Sequence, residues 1–202
     1  FSRTGLLWDE FNKLYAALFS NSGHHVAIVE ALAKKRRGLT RLELIQAVSV
    51  SDNGFFSDTL EELEESGFVR RTNPFGKIKK DALYFLADEF SFYFLTCIKK
   101  RRGKPLKPGD WLTMQTGQAW KTWTGYAFET VCLKHIAQLK HALGISGVRT
   151  EEASWFYRPK PNSDRDEGAQ IDLLIDRQDQ CINLCEMKFY DGPFTVTKAY
   201  AE

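Results

Sequence analysis

Long apolar runs are missing from this 202-residue sequence. The nearest, residues 90–98, is too short for a helix that crosses a bilayer, so no membrane partner is expected. No G-x-x-x-x-G-K-[ST] occurs, which excludes an ATP site of the P-loop kind within these residues. Cysteine is scarce: Cys97, Cys132, Cys181 and Cys185 form no C-x-x-C pair, and no metal-ligand spacing links them to His24, His25, His135 or His141. Reduced cysteines in a cytoplasmic protein are the expectation. Charge of one sign is not in excess either, since 28 basic residues against 26 acidic ones leave a net charge of +2. The whole molecule is therefore no electrostatic magnet for nucleic acid, and any such contact must come from a local patch. No signal peptide is visible, and the start at Phe1 together with a helix-like end at residues 197–202 suggests a piece of a longer polypeptide.

What is present is ordinary for a soluble globular protein, with 43% hydrophobic and 27% charged residues. The length suits one large domain or two small ones. Residues 5–20 read as an amphipathic helix with Trp8, Phe11, Tyr15 and Leu18 on one face. Val26, Val29, Leu32 and Ala33 mark the next helix, closed by Lys34-Lys35-Arg36-Arg37-Gly38, where basic residues meet the negative end of the helix dipole. Thr40-Arg41-Leu42-Glu43 is a capping box opening another helix. Phe56, Leu60 and Leu63 stripe a third. Residues 68–71, a Pro74-Phe75-Gly76 turn and residues 82–86 then form a two-stranded wing. The pattern looks like a winged helix-turn-helix domain.

Charge argues against the usual duplex contact of such a domain. The third helix carries Asp58, Glu61, Glu62, Glu64 and Glu65, with no basic residue from 57 to 66, and phosphates would repel that face. Arg70 and Arg71 on the wing, with Lys77, Lys79 and Lys80, remain candidates for backbone contact. A helix starting at Asp88-Glu89-Phe90, with Phe90, Tyr93 and Phe94 inward, runs into the basic stretch Lys99, Lys100, Arg101, Arg102, Lys104 and Lys107. This stretch is either a solvated linker or a phosphate contact. Pro105 and Pro108 make it a boundary.

Residues 171–190 carry the densest chemical signal. Two strand-length runs flank the turn Arg177-Gln178-Asp179-Gln180 and read as a β-hairpin. Pairing about that turn sets Leu174 opposite Leu184 and Asp172 opposite Glu186, and alternation places Lys188 on the face of Glu186. Two facing carboxylates repel unless a cation sits between them, and Lys188 or a divalent metal would serve. Upstream, residues 120–143 read as a helix whose core stripe is Gly125, Glu129, Cys132, Ile136, Leu139 and Leu143. A glutamate on an apolar stripe needs a partner. A metal shared with Asp172 and Glu186 supplies one; an edge position in water or a pair with Lys188 is the plainer alternative. Residues 155–157 suggest a first strand, and the polar, proline-rich residues 159–168, with Arg158, Lys160 and Arg165 near them, suggest a loop beside the Asp172 strand.

These residues resemble the PD-(D/E)XK nuclease superfamily, with Asp172 as the motif aspartate and Glu186-Met187-Lys188 as the E-x-K. The resemblance implies that Asp172 and Glu186, joined by Glu129, hold Mg2+ or Mn2+, and that Lys188 orients or activates the attacking water. Mg2+ favours carboxylate oxygens and keeps several waters, which suits that ligand set. A wider resemblance covers nearly the whole chain. Leu14-Tyr15-Ala16-Ala17-Leu18-Phe19, the acidic helix through Gly67-Phe68, Leu86-Ala87-Asp88-Glu89-Phe90, Gly125-Tyr126-Ala127-Phe128-Glu129 and Cys185-Glu186-Met187-Lys188 are similar to the C-terminal half of a prokaryotic AAA/STAND-like ATPase family. That resemblance implies an upstream ATPase domain as partner.

The fold expected is thus α+β or α/β. Residues 1–22 form a leading helix, 23–90 a winged helix-turn-helix domain, and 91–116 a connecting helix and basic linker. Residues 117–202 form a restriction-endonuclease-like domain whose closing helix and strand lie beyond Glu202. The function expected is metal-dependent hydrolysis of DNA. A catalytically silent regulatory module of the ATPase and a winged-helix DNA-binding protein are the alternatives.

Overall fold

The computed structural model describes residues 6–76, 82–101, 109–157, 168–195 and 197–198. They form a mixed α+β structure with two small antiparallel sheets. Among the described residues no helix is long and apolar enough to cross a membrane.

Helix α1 (Leu6–Leu18) and α2 (Ser22–Lys34) open the chain. The buried side of α1 and the residue after it is Phe11, Tyr15 and Phe19, at the i, i+4, i+8 spacing of one helix face, whereas Leu18 is 53% exposed. Phe11 and Tyr15 are buried as expected, Phe19 takes the place expected of Leu18, and the side chain of Trp8 lies outside the described residues. Tyr15 spans the core to Ser91, its hydroxyl 2.9 Å from Ser91 Oγ. Strand β1 (Leu39–Thr40) leads into α3 (Arg41–Val48), and the capping box is present: Thr40 Oγ1 accepts from Glu43 N–H while the Glu43 carboxylate accepts from Thr40 N–H. Asn53 caps α4 (Gly54–Glu65) by accepting from Phe56 N–H. The buried imidazole of His25 stacks on Phe19 and meets Glu62 Oε2 at 2.7 Å, fixing α2 against α4.

Strands β2 (Val69–Thr72) and β3 (Leu83–Leu86) pair, and β1 adds to the other edge of β3, giving the order β1-β3-β2. All four residues of β3 are buried. Gly38 fits under this sheet because it has φ +73 and no side chain; a Cβ there would lie 2.8 Å from Phe85 Cζ. The Arg70 guanidinium covers Phe85 with its carbon 4.6 Å from the ring centre.

Helix α5 (Glu89–Tyr93) continues as a wider π turn through Phe94–Ile98 and a tight turn at Lys99–Arg101. Phe92, Phe94, Leu95 and Ile98 are its buried residues in the first core; Phe90 and Tyr93 pack at its margin. After α6 (Asp110–Thr116), the long helix expected over residues 120–143 is two helices, α7 (Gln118–Lys134) and α8 (Ile136–Ala142). The break has a local cause. His135 Nδ1 lies 2.7 Å from the Val131 carbonyl oxygen, and His135 N–H falls back to Cys132 O.

The α7 face that packs also differs from the expected stripe. Trp123 and Tyr126 lie against the first core, Thr130 is buried, and Leu133 and Ile136 lie against a second, small core, while Leu143 is 52% exposed. Strands β4 (Thr150–Tyr157), β5 (Ala169–Arg177) and β6 (Cys181–Cys185) form the second sheet in that order. Leu173 and Ile175 of β5 join Ile145 in the second core. The turn after β2 touches the second sheet: Phe75 N–H donates to Ser154 O at 2.8 Å, where β4 bulges between Ala153 and Trp155. Tyr126 Oη donates to Leu86 O, and Lys134 Nζ reaches both Glu89 carboxylate oxygens at 2.8 Å. Helix α7 is thereby fastened to the first core along most of its length.

Candidate active site

The β5–β6 hairpin has the register that its turn dictates. Leu174 pairs with Leu184, Leu173 with Cys185 and Arg177 with Cys181. The ladder then stops one residue short of Asp172 and Glu186, so the E-x-K residues are not in a strand as expected but in an extended tail after β6. The reason is an exchange of acceptor. Met187 N–H donates to Asp172 Oδ2 at 2.9 Å, so a carboxylate, not a backbone carbonyl, holds the tail beside β5. Asp172 is half-buried, and burial together with Glu186 raises its pKa, against the pull of the Met187 N–H.

Glu186 is joined to Lys188, whose ammonium donates to Glu186 Oε1. Glu129 comes from α7. Its carboxyl is pushed up to about 7, first by burial and then by the negative charges of Asp172 and Glu186, against the opposing pull of Arg70 and Lys188. Three acids from three segments therefore share one electrostatic field. They do not yet form a ready cage: among the described residues no three His, Cys, Asp or Glu side chains stand in an arrangement that holds a metal ion.

The cationic side of this field was not legible in the sequence. Arg70, expected to face nucleic acid, lies largely buried over Phe85 and turns towards Glu129 and Tyr126, while burial pulls its own pKa down. Arg70, Arg71, Thr72 and Asn73 also share a cavity of about 290 Å³ with Asp172, Leu133 and Ile136. The β2 strand thus forms one wall of the acidic site. Its arginine spacing gave no sign of this, because strand residues of either face look alike until the partner helix is placed.

The remaining basic candidates are dispersed. Arg71 pairs with Glu64 at 3.4 Å, and Lys99 with Glu30 at 2.5 Å. Lys100 is exposed. Arg101 ends the tight turn after the π turn, and Arg102 lies outside the described residues, as do Lys77, Lys79, Lys80, Lys104, Lys107, Arg158, Lys160 and Arg165. All four cysteines are free thiols.

Among known proteins, no protein-family model matches the sequence, and no curated protein does.

Proposed function

We propose that the chain carries a metal-dependent phosphodiesterase site of the PD-(D/E)XK kind, acting on DNA. In this reading residues 23–90 are a winged helix-turn-helix domain and residues 117–202 the nuclease-like domain of a prokaryotic AAA/STAND-like ATPase whose ATP-binding part is another segment of the polypeptide. The observation that carries the reading is the position of Glu129: a half-buried carboxyl, raised to about 7, in the combined field of Asp172 and Glu186. Like charges brought together under partial burial are costly, and a divalent cation is the partner that relieves all three.

The donor set fits Mg2+ or Mn2+, both of which prefer carboxylate oxygens. Glu129, Asp172 and Glu186 would hold the ion, which supplies charge neutralisation at the scissile phosphate and a more acidic water. The chain's own residues do the rest. Lys188 orients the water that attacks phosphorus as the P–O bond to the leaving sugar oxygen breaks. The positive charge of Arg70, on β2, lowers the cost of ionising Glu129. Met187 N–H fixes the Asp172 carboxylate, leaving its Oδ1 outside that hydrogen bond.

A second reading is favoured by one observation, the Lys188–Glu186 ion pair beside the attraction between Arg70 and Glu129. There the same residues are a charge network in a catalytically silent regulatory module. A Mn2+ titration by calorimetry separates the two. Saturable binding by the wild type that is lost in Asp172→Ala supports the metal site; a folded wild type that takes up no Mn2+ sinks it. A DNA-binding protein led by α4 is disfavoured by that helix's five acids.

A further inference from the structure

Beside Glu129 lies a concentration of the opposite charge. Two cavities of about 450 and 400 Å³ adjoin one another and share Lys34 and Arg36. The first runs from Lys99 and Lys100 past Thr122 and Trp123; the second adds Lys35 and Arg37 and ends at Tyr126, Glu129 and Gln170. Six cations and two carboxylates, Glu30 and Glu129, line the pair. Lys34, Lys35, Arg36 and Arg37 are all exposed, and none has an ion-pair partner among the described residues.

The plain explanation of these four cations is the end of α2, where positive side chains complement the helix dipole. That explanation accounts for one turn. It does not account for a concave path that gathers Lys100 from another segment, has an indole for a side wall and stops at Glu129. Uncompensated cations lining a groove attract a polyanion, and phosphates spaced along a chain fit a path of spaced cations. An aromatic wall stacks a base, which requires the base to be unpaired. The acidic α4 turns a duplex away from the face where a winged helix usually takes one.

We infer that the groove from Lys99 and Lys100 through Lys34–Arg37 is a track for a single strand of nucleic acid, leading its phosphates to Glu129, Asp172 and Glu186. The inference rests on the phosphodiesterase reading for its direction, but its binding component needs no metal. It also reassigns Lys99 and Lys100, which belong to the entrance of the track and not to a separate patch.

The test is fluorescence anisotropy of the whole 202-residue chain with labelled oligothymidylate in EDTA, over about 50 to 200 mM salt. The wild type binds, and Lys34→Gln/Arg36→Gln binds about ten-fold more weakly. The salt slope of the double variant is shallower by about 1.4, because it neutralises two fewer phosphates of the single strand. Lys13→Gln, whose ammonium lies 4.0 Å from Asp9 on α1 and lines neither cavity, retains wild-type affinity, and circular dichroism checks that each variant is folded. No binding of the oligothymidylate, an unchanged double variant, or duplex bound as tightly as single strand overturns the track. Because EDTA removes the metal, such a failure is distinct from failure of the metal site, which the Mn2+ titration reads separately.

Discussion

Replacing Glu129 by glutamine should make the protein more stable at alkaline pH and nearly unchanged at acid pH. The carboxyl has a pKa of about 7 in the folded chain against an ordinary value of 4.5, so between those values the folded state holds a proton that the unfolded state has released. Stability therefore falls as pH rises through this window, since the proton is bound more tightly by the folded form. A difference of this size is worth about 1.4 kcal/mol per pH unit, on the order of 3 kcal/mol when fully developed. Partial exposure and the opposing charge of Arg70 make that an upper figure, and about 2 kcal/mol is the effect to look for. Urea unfolding of wild type and Glu129→Gln in EDTA, at about pH 5 and about pH 8, measures it. The two proteins should nearly coincide at the lower pH, with the variant ahead at the higher. Parallel pH profiles, or a variant that is less stable at the higher pH, would refute the claim that Glu129 sits charged at a cost.

Two further outcomes follow from the same geometry. Mn2+ binding to the wild type should strengthen as pH rises towards about 7 and release a proton, because Glu129 must ionise before it can act as a ligand; calorimetry in buffers of different ionisation enthalpy counts that proton. Gly38→Ala should destabilise the fold by about 2 kcal/mol or more, from the left-handed backbone and the Phe85 clash together. Displaced Phe85 would also move Arg70, so the variant's Glu129 should titrate at a higher pH, which carboxyl NMR shifts would report.

The hairpin was legible because one turn fixes its register and alternation then assigns every face; Asp172 and Glu186 were found that way. Glu129 was legible as a charge among apolar helix positions, although the packed face of α7 proved to be Trp123, Tyr126, Thr130 and Leu133. Three features were hidden for a common reason, that each depends on a distant partner. Arg70 acquires its inward role only when α7 packs on β3. The ladder ends at Cys185 because Asp172 captures Met187 N–H. The run Lys34–Arg37 reads as a helix end until Trp123, Tyr126 and Glu129 close the groove beside it.

The central claim is a phosphodiester-cleaving centre, and cleavage tests it most directly. A single-stranded oligonucleotide labelled at one end would be incubated with the wild type and with Lys188→Ala, in Mg2+, in Mn2+ and in EDTA, and the products resolved by length. The account predicts shorter products with the wild type in either metal, none in EDTA and a large loss of rate in Lys188→Ala. Intact oligonucleotide in every lane, from a wild type that binds both Mn2+ and the strand, would contradict it and leave Glu129, Asp172, Glu186 and Lys188 as the charge network of a silent module.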